Sequence, residues 1–260
     1  MWVRFAIVAL IFFFRPAILP AETVSCGGLP PLAEAGVTKE EQLHRLLRRA
    51  IACIREGKPN LSIEIFSEMI GIDPGNETAY LNRANAYIQT RQFDLGISDL
   101  SYVISLKPNF AEAWYNRGVA FLAARQYERE IADFGETLRL QPDFARAYCN
   151  RGLALVRKGD YDKALEDLNA GLQKSADITL CYFARGDVRF NKKDYQKAID
   201  DYTVGLQRVV NIEALSRRAE AFERLGEYEK ALTDFDAVLA KAPTHKDALE
   251  GVKRLSQKEE

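Results

Sequence analysis

One interval governs this sequence. Arg49, Arg83, Arg117, Arg151 and Arg185 follow one another at 34 residues, and Arg218 comes 33 after the last. Pro74, Pro108 and Pro142 keep the same interval, and Tyr161, Tyr195 and Tyr228 keep it to within one residue. Several interleaved series with one period mean a single supersecondary unit copied in tandem. Such a chain buries its apolar faces between successive copies, so 260 residues need not share one large core. With 47% hydrophobic residues there is enough apolar material for this.

Each copy reads as two helices. In 111–142 the first apolar set is Trp114, Phe121 and Leu122, Gln126-Tyr127 interrupts it, and Ile131, Phe134 and Leu138 form the second. Spacings of three, four and seven are helical. Pro142 cannot extend the second helix and forces a turn. Gly118 sits midway along the first helix, with Ala84, Gly152, Gly186 and Ala219 in the equivalent places. A small residue there predicts close approach by the partner helix, against a propensity cost of about 1 kcal/mol for glycine.

The segment AEAWYNRGVAFLAARQYEREIADFGETLRLQPD carries in order the aromatic, glycine, aromatic, tyrosine, phenylalanine and proline of the tetratricopeptide repeat. RGLALVRKGDYDKALEDLNAGL and RRAEAFERLGEYEKALTDFDAVLAKAP repeat the second half of that pattern, and the chain resembles that family. Residues 38–245 hold six units, at 43–76, 77–110, 111–144, 145–178, 179–211 and 212–245. The first is degenerate, with Ile65 where later units have aspartate and Pro59 where they have an aromatic; the fourth and fifth lack the closing proline. Thr38-Lys39-Glu40-Glu41 reads as a capping box at the entry. Residues 246–260 read as a capping helix and tail, with Ala248, Leu249, Val252 and Leu255 turned inward as a lid on the last repeat. The resemblance implies an all-α, right-handed superhelical solenoid with a concave inner face.

The chain opens MWVRFAIVALIFFFRPAILPAETVSCGG. The apolar run Phe5 to Phe14 is shorter than the roughly 20 residues of a spanning helix and fits the core of an export signal. Residues 1–25 are therefore read as a signal peptide, cut after Ala21 or after Ser25, or as a retained membrane anchor. A degenerate lipidation site ending at Cys26 is a third reading, and 26–37 reads as a linker. The protein is expected to be exported, periplasmic or secreted, or anchored to the membrane by that segment. The leader and the style of repeat resemble those of bacterial exported members of the family.

Composition narrows the function. With 36 basic and 37 acidic residues and no long basic run, nothing draws the chain to nucleic acid. The two histidines, His44 and His245, stand near opposite ends of the array, and no phosphate-cradling, zinc-protease or nucleophile-elbow motif occurs. No enzyme activity, cofactor or metal is expected. Cys26, Cys53, Cys149 and Cys181 fit no zinc or redox spacing and read as small helix residues. Export would permit a disulfide, but the spacing assigns no partner.

In the family the first helix of each unit lines the groove. By offset from the small residue, that places Asn82, Asn116 and Asn150 in a column able to hold an extended peptide by its backbone. Beside it the same offset places Leu81, Ile88, Tyr115, Val119, Leu122, Leu153, Val156, Phe183 and Phe190 as an apolar stripe on a wet face. The stripe ends in Glu213, Glu220, Glu223 and Arg224, which suits a partner apolar in its middle and basic at one end. The family's carboxylate clamp is partial: Asn85, Asn116 and Arg146 sit at matching or similar places, while Leu81 and Asn150 replace two cations.

A second series gives structural pairs. Asp99, Asp133, Asp167, Asp201 and Asp234 each lie 16 residues after Arg83, Arg117, Arg151, Arg185 and Arg218. A helix pair brings such positions together, so a ladder of ion pairs is expected, with Arg151–Asp167 the most shielded. The functional expectation is a non-enzymatic scaffold that binds a peptide segment or helix of another envelope protein. The alternatives are a structural or self-assembling repeat protein, which would form homo-oligomers, and a non-catalytic adaptor subunit of an envelope hydrolase.

Overall fold

A computed structural model describes residues 25–27 and 37–257, and among them it forms thirteen helices and no strand. The segment read as a signal peptide or anchor therefore lies outside the described residues save Ser25, and the stretch read as a linker save Cys26, Gly27 and Val37. The chain divides into two compact units between Leu140 and Gln141.

The first unit holds α1 (Lys39–Arg55), α2 (Pro59–Ile72), α3 (Glu77–Gln89), α4 (Phe93–Leu106), α5 (Ala111–Ala123) and α6 (Tyr127–Leu140). The second holds α7 (Ala145–Lys158), α8 (Tyr161–Lys174), α9 (Thr179–Asn191), α10 (Tyr195–Leu206), α11 (Ile212–Arg224), α12 (Tyr228–Lys241) and α13 (Lys246–Ser256). In both, consecutive helices pack as hairpins and each hairpin stacks on the next. First helices also meet one another: α3 with α5 in the first unit, and α7, α9, α11 and α13 in series in the second.

The turn inside every hairpin has one construction. Gly57, Arg91, Arg125, Gly159, Lys193 and Gly226 all have positive φ, between 60° and 84°. The residue after each donates its N–H to the carbonyl five residues back, as Lys58 does to Cys53 and Asp160 to Leu155. That bond and the left-handed residue close the first helix. The motif costs little for glycine and about 1–2 kcal/mol for the other three.

The small residue allows the hairpin to close. A Cβ on Gly118 would stand 2.8 Å from Cε1 of Phe134, and one on Gly186 would stand 2.7 Å from Cε1 of Tyr202. The aromatic ring of the second helix thus lies on the bare backbone of the first, and Phe134 and Tyr202 are fully buried.

The ends of the array differ from the sequence reading in detail. Thr38 Oγ1 accepts the Glu41 N–H at 3.2 Å, but the Glu41 carboxylate pairs with Arg45, so one half of the capping box forms. In α13, Ala248 and Leu255 are buried, but Leu249, expected inward, is 48% exposed. Gly251 takes the inward place, because the Phe235 ring lies too close for any side chain there.

Candidate functional site

The ladder of arginines and aspartates lies inside the hairpins. Arg83 donates through Nε and Nη2 to Asp99 at 2.8 and 2.9 Å, and Arg117 to Asp133 at 2.7 and 2.9 Å. Arg151 reaches Asp167 at 2.7 and 2.7 Å, Arg185 reaches Asp201 at 3.0 and 2.7 Å, and Arg218 reaches Asp234 at 2.7 and 2.8 Å. All five aspartates are buried. Each joins the first helix of a repeat to its second. The third arginine nitrogen ties repeats together: Nη1 of Arg83, Arg117, Arg185 and Arg218 donates to Ser67, Ser101, Asn169 and Thr203 on the preceding second helix.

Arg151–Asp167 is not the most shielded pair. The Arg151 side chain is 27% exposed, against 16% for Arg185, and Asp201 also takes Arg189 Nη1 at 2.8 Å. In the degenerate first repeat Ile65 replaces the aspartate, and Arg49 Nε donates to the Cys26 carbonyl at 3.1 Å.

Burial weighs against these pairs as charges. At Asp133 desolvation raises the carboxyl's pKa above its ordinary value, with the Arg117 bonds pulling it down less strongly. At Arg83 and Arg151 the hydrogen bonds to aspartate outweigh burial and raise the guanidinium further. The ladder acts as oriented cross-links more than as a source of net electrostatic stability.

The asparagine column is largely turned inward. Asn82 is 5% exposed and its Nδ2 donates to its own helix at Thr78 O, 2.8 Å away, while Asn150 is 1% exposed. Ala184, buried, fills the same place in the next repeat, which marks it as a packing position. Asn116 and Asn85 are half-buried in the first unit, and Arg146 is half-buried in the second. Leu81, set where a clamp needs a cation, is buried.

The apolar stripe behaves differently in the two units. In the first, Leu81, Ile88, Tyr115, Val119 and Leu122 are buried, so they form no wet face. Leu81 and Ile88 belong to a core with Leu100 and Val103, and the Tyr115 ring centroid lies 5.6 Å from that of Phe134. In the second, Leu153 and Val156 on α7 and Phe183 and Phe190 on α9 are only half-buried. The candidate site is therefore the first-helix face of α7, α9 and α11 alone.

That face ends in polar groups that the sequence reading named only in part. Asp187 on α9 accepts the Tyr202 hydroxyl at 2.7 Å. Burial pushes the Asp187 carboxyl's pKa up, helped by the Glu213 charge and opposed by the Tyr202 bond and by Arg217. Burial also pushes up the Glu220 carboxyl and, together with the Asp187 charge and bond, the Tyr202 hydroxyl. Arg217 Cζ lies 5.4 Å from the Phe190 ring centroid. The sequence reading named neither Asp187 nor Tyr202; the signal for Asp187 is a charge in the column Asn85, Val119, Leu153, Asp187, Glu220, and no pattern marks Tyr202.

All four cysteines are bonded, not free helix residues. Cys26 joins Cys53, with Cα atoms 4.5 Å apart, and Cys149 on α7 joins Cys181 on α9, with Cα atoms 5.3 Å apart. Cys26 also donates its N–H to Glu56 Oε1 at 2.8 Å. Among the described residues no helix is long and apolar enough to cross a membrane, and no group of three ligating side chains could hold a metal ion.

No curated protein matched the chain. Among solved structures, pilF of Pseudomonas aeruginosa is similar in fold: 15% identical, over 83% of this chain and 99% of its own, with a TM-score of 0.75. YrrB, described as a TPR protein with an unusual peptide-binding site, is 20% identical over 74% of this chain and 99% of its own, at 0.62. The Cut9–Hcn1 hetero-tetramer of the APC/C aligns over 82% of this chain and 42% of its own, at 17% identity and 0.71. Tetratricopeptide repeat models match residues 81–143, 131–178, 149–209 and 212–245. With more than half its length matched and its helices paired and stacked as that repeat requires, the chain belongs to the tetratricopeptide repeat family, whose fold is a protein–protein interaction scaffold.

Proposed function

We propose that the protein is a non-enzymatic scaffold, working outside the cytoplasm, that binds a peptide segment or helix of another protein on the first-helix face of its second unit. One observation carries this reading. Leu153, Val156, Phe183 and Phe190 are only half-buried on adjoining helices α7 and α9, the two phenylalanines partly covered by the core of Ala198, Tyr202 and Ala214, whereas their counterparts in the first unit are buried. Apolar side chains left partly open on neighbouring helices support a partner site there. Export is supported by the two disulfides, which persist in oxidising compartments and are rare in a reducing cytosol. The Cys26–Cys53 bond also uses the sulfur that lipidation at Cys26 would need.

The test pairs capture with folding. Wild-type protein and Leu153→Asp with Val156→Asp are used as bait in envelope extract, and their melting temperatures are compared. A stoichiometric partner lost in the variant at an unchanged melting temperature is the expected result. A partner retained in full removes this face from the account.

A further inference from the structure

The face of α7, α9 and α11 ends in charges that do not balance. Asp187 feels the charges of Arg217 and Glu213, and Glu220 feels Arg217, Arg254 and Arg224 against Asp247. Arg254 is already engaged, donating through Nε and Nη2 to Glu223 at 3.1 and 2.8 Å. Arg224 is exposed at the rim, and Asp247 on α13 adds a further negative charge beside Glu220. His245 Nε2 stands 3.8 Å from Glu213, and would carry charge only when protonated.

Two polar groups here are unused. Glu220 makes no side-chain hydrogen bond among the described residues, and Arg217, Arg254 and Arg224 act on it through charge alone. Ser216, one turn from both Glu213 and Glu220 on α11, is 3% exposed, and its hydroxyl makes no hydrogen bond. A buried hydroxyl and a half-buried carboxylate that make no hydrogen bond cost stability unless something satisfies them. No three ligating side chains among the described residues are grouped to hold a metal ion, so the missing cation is one carried on a long side chain. The Phe190 ring, with Arg217 over its face, sits one turn after Asp187 on α9 and suits the stem of such a side chain.

Resting on the reading given under Proposed function, we propose that the partner is a protein segment of defined polarity. It lays apolar side chains on Leu153, Val156, Phe183 and Phe190, and then places an arginine or lysine among Asp187, Glu213 and Glu220. The apolar contacts supply affinity, and the cation fixes direction and register, because the reversed segment would strand its charge over Leu153 and Val156.

Fluorescein-labelled amphipathic leucine–alanine peptides, identical except for an Arg-Arg, Ser-Ser or Glu-Glu end, are titrated into the full chain by anisotropy. The Arg-Arg peptide is expected to bind about tenfold tighter than the Glu-Glu peptide, with the gap narrowing as salt rises. The gap is expected to close in Glu213→Gln with Glu220→Gln, and in Asp187→Asn as an independent variant. Equal affinities for the three peptides overturn the cation site and leave the groove reading standing. Binding by none of them overturns both. A preference that survives in both variants places the cation elsewhere and overturns the proposal.

Discussion

The guanidinium of Arg151 on α7 grips the carboxylate of Asp167 on α8 through two parallel hydrogen bonds, Nε to Oδ2 and Nη2 to Oδ1, both at 2.7 Å. The two ends are not equally wet: the arginine side chain is 27% exposed and the aspartate 8%. Deleting one partner is costly when the survivor is buried. Arg151→Ala strands Asp167 and is expected to cost about 3–5 kcal/mol in urea unfolding. Asp167→Ala leaves an arginine that can turn to water, and is expected to cost about 1–2 kcal/mol. Equal losses would mean that packing, not stranded charge, sets the energy.

The hairpin turns give a prediction about backbone alone. Arg125 has φ 60° and Lys193 φ 63° in a conformation that side-chained residues adopt at a cost. Arg125→Gly is expected to stabilise the protein by roughly 0.5–1 kcal/mol, the relief of strain exceeding glycine's greater freedom in the unfolded chain. Gly159, at φ 84° with nothing within 4 Å of a Cβ, is the converse case, and Gly159→Ala is expected to lose about 1 kcal/mol. Unfolding curves of the two variants check both signs, and a destabilised Arg125→Gly would show that the arginine makes a compensating contact.

How much of this was legible in the sequence depended on whether a feature repeats. The arginine and aspartate series have one period and a constant offset of 16, so one hairpin geometry serves all five pairs. The inward place of Leu249 was misread because α13 packs on α12 through Ala248 and Leu255, and Gly251 fits beneath Phe235 where leucine could not. The disulfides were hidden because Cys149 and Cys181 sit at different offsets in successive repeats, 32 residues apart, and meet only once α7 lies against α9. The groove was half legible. Offset from the small residue names first-helix positions, but whether Leu81 or Leu153 is wet depends on what covers each, which no periodicity records.

The second disulfide makes the candidate face depend on oxidation. Cys149–Cys181 ties α7 to α9, the two helices that carry Leu153, Val156, Phe183 and Phe190, and a Cβ on Gly171 would lie 2.8 Å from Cys149 Sγ. Closing a loop of 32 residues limits the unfolded chain by roughly 3–4 kcal/mol in the chain-entropy view. Cys149→Ser with Cys181→Ser is expected to lose an amount of that order and to loosen peptide binding on this face. Thiol titration of native protein under denaturing conditions is expected to find no free thiol before reduction. Four free thiols in protein taken directly from cells would remove the oxidising compartment from the account.

Asp187 connects stability with the cation site. Burial raises its carboxyl's pKa, so the folded protein holds the proton to a higher pH than the unfolded chain, where aspartate titrates near about 3.9. Below that pH the group is neutral in both states and contributes nothing. As pH rises through the folded value the carboxylate is forced to ionise in a buried place, and stability falls. Asp187→Asn keeps an oxygen to accept the Tyr202 hydroxyl and is uncharged at every pH. It is therefore expected to raise the melting temperature near neutral pH, with the advantage shrinking as pH falls toward about 4. Glu220→Gln should act in the same direction, since burial is also the largest influence on Glu220. A variant less stable than wild type at neutral pH would mean that the bond from Tyr202 to a charged carboxylate outweighs its burial. The expected outcome, a more stable protein with weaker selection for a cationic segment, is what a carboxylate kept for binding would give, because an incoming arginine or lysine supplies the charge that makes its ionised form comfortable.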